Sequence, residues 1–132
     1  IIYPGANIRL QSPGPVQGQW DSGRIEQVIS NLVANALRYG TPGGPVTVNV
    51  SAEGKDVILA VHNEGDPIPD SRKELIFEGM YRVHDQNKSK KESSYGIGLY
   101  VVNEIIKAHN GKIEVESDAK TGTTFKATFP RQ

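Results

Sequence analysis

The chain has 132 residues, no cysteine, and 15 basic against 15 acidic residues, for a formal net charge of zero. That length is enough to bury one core without covalent or metal staples, and the missing thiols exclude disulfides and thiolate metal sites. Zero net charge excludes an overall field that would draw nucleic acid or an anionic membrane to the surface, so any anion has to be bound locally.

The chain opens Ile1-Ile2-Tyr3-Pro4, with neither a methionine nor a signal-like segment, and the expectation is a single domain, residues 1–132, cut from something longer. Asn7 to Gln11 alternates apolar and polar residues and predicts an edge strand before the loop Ser12-Pro13-Gly14-Pro15. Arg24 to Gly40 predicts a long helix. Ile25, Val28, Ile29, Leu32, Val33 and Ala36 recur at the three-and-four spacing of a buried stripe. Asp21 or Ser22 suits its cap, Gly40 suits a left-handed stop, and Thr41-Pro42-Gly43-Gly44-Pro45 forbids continuation.

At about 100° per residue, Arg24, Gln27, Asn31, Asn35 and Arg38 fall in one narrow arc at the edge of that stripe. Asparagine competes for backbone hydrogen bonds, so two of them in mid-helix are locally unfavourable. Periodicity alone leaves two readings of the arc open: a solvated face or a site.

Val46 to Val50 and Val57 to His62 alternate around the turn Glu53-Gly54-Lys55-Asp56 and predict a hairpin. The run Val57-Ile58-Leu59-Ala60-Val61 is the longest apolar stretch, far short of a membrane span and suited to a buried strand. Asn63 to Asp70 is rich in turn formers, and Ser71 to Phe77 reads as a short helix. Arg82 to Ser94 is polar and long for a structureless connection, as lids, binding loops or disordered segments are. Gly96 opens a second amphipathic helix, with Ile97, Val101, Val102, Ile105 and Ile106 toward the core and Asn110-Gly111 as its end. Lys112 to Glu116 and Thr124 to Phe129 are strands around the turn Ser117 to Gly122. The order predicts an α+β, two-layer α/β sandwich: a mixed, largely antiparallel five-stranded sheet with helices on one face and solvent on the other.

Tyr95-Gly96-Ile97-Gly98-Leu99 places two glycines where a loop becomes a helix. Unsatisfied amides and the helix dipole favour phosphate there, and glycine lets it approach the main chain. No strand directly precedes the motif and no Lys-Ser/Thr follows, so neither a dinucleotide fingerprint nor a Walker loop fits.

Taken in order, "EQVISNLVANALRYG", "HNEGDPIPD", "LIFEGMYR", "YGIGLYVVNEIIKAHNG" and "GTTFKATFP" make the chain, from about Asp21 to Pro130, resemble the catalytic, ATP-binding domain of sensor histidine kinases. The resemblance implies the sandwich shared with gyrase and heat-shock chaperone ATPases, the Bergerat-type ATP-binding fold. It implies Mg-ATP as ligand. Asn35 matches the asparagine whose amide oxygen ligates Mg²⁺, a hard ion that favours oxygen. Asn31, one turn earlier, supports the metal or its waters, Arg38 faces the phosphates and Tyr39 the nucleotide. The first glycine box corresponds to Asn63, Gly65, Ile68 and Pro69, with Asn63 where the family usually has aspartate and Pro67 where it has a second glycine. Tyr81 and Arg82 match the phenylalanine box, whose arginine reaches the γ-phosphate. Tyr95, Gly96, Ile97, Gly98 and Leu99 match the second glycine box, with Ser94 replacing an earlier glycine. Thr123 lines the adenine pocket, with Thr124 as the alternative.

In related hydrolysing ATPases a glutamate stands at the position of Asn31, and a neutral amide cannot act as a general base. The resemblance therefore implies Asn31 and Arg82 as catalytic residues of a protein-histidine kinase that keeps its phosphoryl group for a histidine on a separate dimerisation domain. A response regulator follows indirectly. The implied location is cytoplasmic, in a parent either soluble or anchored to a membrane, with no direct contact to membrane or nucleic acid. His62, His84 and His109 read as surface or capping residues. The rival readings are a degenerate interaction module, favoured by Asn63, Pro67 and Ser94, and an ATP-hydrolysing relative, disfavoured by Asn31.

Overall fold

The computed structural model describes residues 8–11, 20–73, 75–77 and 95–131. The predicted lid from Arg82 to Ser94 lies outside the described residues. The first long helix, α1, spans Ser22–Tyr39. Asp21 caps it, its Oδ1 accepting from the Arg24 backbone N–H at 3.1 Å. Strands β1 (Ile8–Gln11), β2 (Val46–Glu53), β3 (Asp56–Asn63), β4 (Lys112–Asp118) and β5 (Gly122–Pro130) form one sheet in the order β1-β2-β3-β5-β4. β2, β3, β5 and β4 pair antiparallel, and the short β1 joins β2 in parallel.

The register explains the core. Val48, Val61, Phe125 and Val115 form one cross-strand row, and Val50, Leu59, Ala127 and Ile113 the next. These side chains share a face, and α1 covers it with Val28, Leu32 and Ala36, all buried. The second helix, α2 (Tyr95–Ala108), adds buried Leu99, Val102, Ile105 and Ile106. Val101 is half-buried against the same core. On the opposite face the rows read Thr47, His62, Thr124, Glu116 and Asn49, Ala60, Lys126, Glu114, a polar surface as period-2 alternation requires.

Three local expectations are corrected. Ser71 to Phe77 forms two 3-10 turns, Asp70–Arg72 and Leu75–Phe77, instead of one helix. So short a segment cannot nucleate an α-helix unaided; burial of Ile76 and the Lys73 Nζ bond to the Ser117 carbonyl fix it instead. Gly40 is extended, with φ −78° and ψ 176°, and not left-handed. It is needed for contact: a Cβ there would lie 3.1 Å from both Cβ and Nδ2 of Asn63. β4 and β5 also run on to Asp118 and Gly122, past the predicted ends, because Ser117 and Thr123 pair in the ladder and through their hydroxyls, 2.6 Å apart.

α2 ends as its sequence predicts. Asn110 takes φ 62°, Gly111 N–H returns to the Ile106 carbonyl at 2.8 Å and Asn110 N–H to that of Lys107 at 2.9 Å, the paired bonds of a Schellman stop. Gly111 packs against β5, where an added Cβ would collide with the Thr128 carbonyl oxygen and lie 2.6 Å from Phe129 Cβ. Both neighbours belong to a ladder strand that cannot retreat. Gly111→Ala is therefore expected to destabilise the fold by about 1–3 kcal/mol, the usual penalty of overpacking, read as a lower midpoint in urea with an unchanged slope.

Candidate functional site

At one end of the sheet the helix-facing row changes character. Val46, Asn63, Thr123 and Ser117 lie side by side across β2, β3, β5 and β4. Asn63 and Thr123 are the buried polar residues of the described chain, each 4% exposed. A polar row placed under helices needs hydrogen bonds, and it has them. Ser117 Oγ accepts from the Ile68 backbone N–H at 2.8 Å and meets Thr123 Oγ1 at 2.6 Å. Asn63 Nδ2 donates to the Glu64 carbonyl at 3.1 Å. The same carbonyl accepts Thr41 N–H at 2.7 Å, which ties the chain leaving α1 to the end of β3. Among the described residues Asn63 Oδ1 has no hydrogen-bond partner, so this buried residue holds one acceptor in reserve.

Gly65 belongs to the same closure. Its φ is 145°, and a Cβ on it would lie 3.2 Å from Gly40 Cα, Thr41 N and the Tyr39 carbonyl oxygen. Only glycine combines that angle with so close an approach. Ile68 is buried nearby, and a cavity of about 50 Å³ lies between Ala36, Gly40, Thr41, Val46 and Asn63. This is far below the roughly 300–1,000 Å³ of small-molecule sites, and it accounts for no ligand by itself.

α1 brings its amide arc to this end. Asn31 and Asn35 are half-buried, while Arg24, Gln27 and Arg38 are exposed. Asn31 Nδ2 reaches the Gly98 carbonyl in the first turn of α2 at 3.4 Å, directly joining the two helices. Asn35 makes no side-chain hydrogen bond among the described residues. Arg38 lies over the Tyr39 ring, its guanidinium carbon 6.0 Å from the centroid. Tyr95, Gly96, Ile97, Gly98 and Leu99 form the first turn of α2; Leu99 is buried. Tyr81 and Arg82 lie outside the described residues. Thr123 faces the helices, whereas Thr124 sits on the opposite face beside His62.

Sequence reasoning passed over Ser117 and the Glu64 carbonyl. Reading β4 two residues further would have put Ser117 on the helix-facing parity of Ile113 and Val115. The Glu64 carbonyl carries no side-chain signature. The turn before Thr123 is fixed by Asp118, whose Oδ1 accepts Lys120 N–H at 2.8 Å and Thr121 N–H at 2.6 Å. Its bonds to the backbone and hydroxyl of Thr121, then to Lys120, hold this carboxyl below the ordinary aspartate range. That stabilisation is present above the unfolded group's titration and is lost only as pH falls through the lowered value.

Residues 20–132 match the family described as histidine kinase-, DNA gyrase B-, and HSP90-like ATPase. This chain belongs to that family. Over 117 residues it is 36% identical to the probable sensor kinase SilS of Salmonella typhimurium, a match covering 89% of the chain and 23% of that protein. It is 37% identical over 112 residues to the sensor histidine kinase WalK of Bacillus subtilis, covering 83% of the chain and 18% of that protein. The chain thus spans about a fifth of these curated relatives. Among solved structures it is similar to the nucleotide-free catalytic domain of histidine kinase ThkA, with a TM-score of 0.78 and 27% identity over 96% of this chain and 80% of that one. ThkA is also known in complex with its response regulator protein TrrA, where the TM-score is 0.75, the identity 26%, and the coverage 96% of this chain and 34% of that one. Membership carries ATP binding with it, and among the described residues no helix is long and apolar enough to cross a membrane.

Gly98 is a helical glycine that the described packing does not demand. It lies inside α2, and no described atom outside the helix comes within 4 Å of an added Cβ. Glycine in a helix costs roughly 0.5–1 kcal/mol relative to alanine. Gly98→Ala is expected to raise the stability of the free protein by about that much while weakening ATP binding. Thermal melts read the first effect and titration calorimetry the second.

Proposed function

We propose that this chain is the ATP-binding catalytic domain of a two-component sensor histidine kinase, one domain that binds Mg-ATP and presents the γ-phosphate to a histidine on a separate dimerisation domain. The observation that carries this reading is Asn31: a neutral amide, half-buried, donating to the Gly98 carbonyl. A glutamate in its place would lose that bond and bring a base; asparagine keeps the helices joined and cannot activate water. The two described histidines are poor acceptors, since His62 Nε2 is bonded to the Thr121 carbonyl and both ring nitrogens of His109 are bonded to backbone.

Asn35 fits a magnesium ligand: its amide makes no hydrogen bond among the described residues, and no His, Cys, Asp or Glu cluster is present there to hold a metal by itself. A single protein oxygen suits an ion that arrives on triphosphate oxygens and keeps its waters, and Mg²⁺ would offset phosphate charge. The amides of Gly96 and Gly98 at the start of α2, with Arg38 and Arg82, hold phosphates. Tyr39, Gly65, Ile68, Tyr81, Tyr95, Ile97, Leu99 and Thr123 shape the nucleotide pocket. Catalysis then rests on positioning and on stabilising charge at the transferred group, the role that the family resemblance gives to Asn31 and Arg82. The dimerisation domain is the direct partner and a response regulator the indirect one. ATP supply places the domain in the cytoplasm, whatever anchors the parent.

Supplied with γ-labelled ATP, Mg²⁺ and the parent's dimerisation hairpin, the protein is expected to label the hairpin's histidine, and without the hairpin to show no appreciable turnover. Asn35→Ala should abolish the labelling while the fold survives. Steady hydrolysis by the chain alone would sink the kinase reading; no binding of nucleotide at all would favour the interaction module.

Asn63 governs the base. From sequence alone its amide offers donor and acceptor interchangeably, which predicts relaxed discrimination between ATP and GTP. In the fold Nδ2 is held by the Glu64 carbonyl, and Oδ1 is the atom left over. An acceptor pairs with the amino group of adenine and repels the oxygen of guanine, so discrimination should be retained. Asn63→Asp is expected to leave the ratio of ATP to GTP affinity within about twofold of the parent's, less than one net hydrogen bond. Displacement of a fluorescent ATP analogue by each nucleotide gives both ratios, and a tenfold gain in the variant would show that the amide turns over in the parent.

A further inference from the structure

His109, one residue past the end of α2, touches three elements. Its Nδ1 lies 2.8 Å from the Ile105 carbonyl oxygen, one turn back in α2. Its Nε2 lies 3.2 Å from the backbone nitrogen of Asp21, the N-cap of α1. Its ring meets Phe129 of β5 at 6.3 Å between centroids, and Trp20 meets the same phenylalanine edge-on at 5.7 Å. A carbonyl oxygen only accepts and a backbone N–H only donates. The ring must therefore carry its hydrogen on Nδ1 and a bare lone pair on Nε2, which fixes both its charge and its tautomer.

The placement gives that tautomer leverage. α1 carries Asn31 and Asn35, α2 begins with Gly96 and Gly98, and the two helices run antiparallel. They are joined at one end by Asn31 on Gly98 and at the other by Asp21 on His109. We propose that His109 is a positioning residue: neutral, it clasps the start of α1 to the end of α2 and so sets how the two halves of the site face each other, and a proton on Nε2 opens the clasp and weakens nucleotide binding. The inference rests on the nucleotide-binding reading above for its last step only.

Asp21 meets the ring from α1 through its backbone nitrogen, and Arg24 of α1 and Glu104 of α2 line the groove beside it with Tyr100 and Ile105. Lys107 lines a different cleft, with Phe77 and Ile113, and β5 presents the uncharged Phe129. The added N–H would point at the N–H of Asp21, and two donors cannot pair. Turning toward the Asp21 carboxylate would take Oδ1 from the Arg24 N–H that it caps, loosening the first turn of α1. The clasp is closed while Nε2 is bare and opens once falling pH puts a proton on it.

The test uses the whole chain. Long-range proton–nitrogen spectra at pH 7.5 should show His109 as the Nδ1–H tautomer, and the protection of the Asp21 amide, its exchange measured against the intrinsic rate at each pH, should fall as pH falls through the ring's measured titration. His109→Phe keeps a ring against Phe129 and removes both hydrogen bonds; Mg-ATP affinity should fall about threefold to tenfold, what one net hydrogen bond is worth, and the pH step should vanish. Comparing parent and variant cancels the titration of ATP itself and of His62. His109→Gln, whose Oε1 can accept from Asp21 N–H, should recover part of the affinity without the pH step, and it carries the test if the phenylalanine variant does not fold. An Nε2–H or doubly protonated ring at pH 7.5, or an unchanged pH step in His109→Phe, overturns the proposal. If the parent binds no nucleotide, the reading of the site fails, while the tautomer and the exchange at Asp21 still decide the clasp.

Discussion

Much of this structure depends on how the end of α1 closes onto the end of β3. Gly40 approaches Asn63 without room for a Cβ, Gly65 faces Gly40 and Tyr39 at backbone distance, and the Glu64 carbonyl accepts both Thr41 N–H and Asn63 Nδ2. Buried backbone polar groups have to be satisfied, and one carbonyl here satisfies a helix exit and a buried side chain together. Move either glycine to a larger residue and α1 can no longer lie where its apolar stripe fills the sheet. The closure therefore fixes the core and the polar row by the same contacts.

The site inherits its geometry from that closure. Asn63 and Thr123 are ladder partners, so their spacing is set by the sheet. Asn31 and Asn35 lie one turn apart on a helix whose exit is pinned to β3, so they cannot drift relative to Asn63. Rigid elements hold a constellation better than loops do. The buried polar side chains at this end, Asn63 and Thr123, are a neutral amide and a hydroxyl, which remain uncharged across physiological pH and desolvate at lower cost than carboxylates.

α1 and α2 form an antiparallel pair tied at both ends by one side-chain-to-backbone bond each. Both bonds are modest, and each net hydrogen bond is worth about 0.5–1.5 kcal/mol. Their value lies in direction. Packing of Val28, Leu32, Val102 and Ile106 supplies the larger attraction but would tolerate some sliding of one helix along the other. A hydrogen bond at each end removes that freedom, and the bond at His109 does so only for one protonation state of the ring.

The sequence by itself determined most of the elements and their faces: the stripe from Ile25 to Ala36, the alternation in β2, β3, β4 and β5, a cap at Asp21 or Ser22 and the Asn110-Gly111 stop are all local, set by periodicity and by side chains acting within a turn. It also placed Asn31 and Asn35 on one arc, and its ordered motifs pointed to the family that the comparisons show. Tertiary structure alone decided the rest. It chose between a left-handed and an extended Gly40, because the choice depended on Asn63, far off in sequence. It brought Ser117 into the polar row, turned the Asn63 amide toward Glu64, and set the tautomer of His109 through Asp21. An amide or imidazole offers donor and acceptor alike in a sequence, and only the partner across the fold assigns which atom does which.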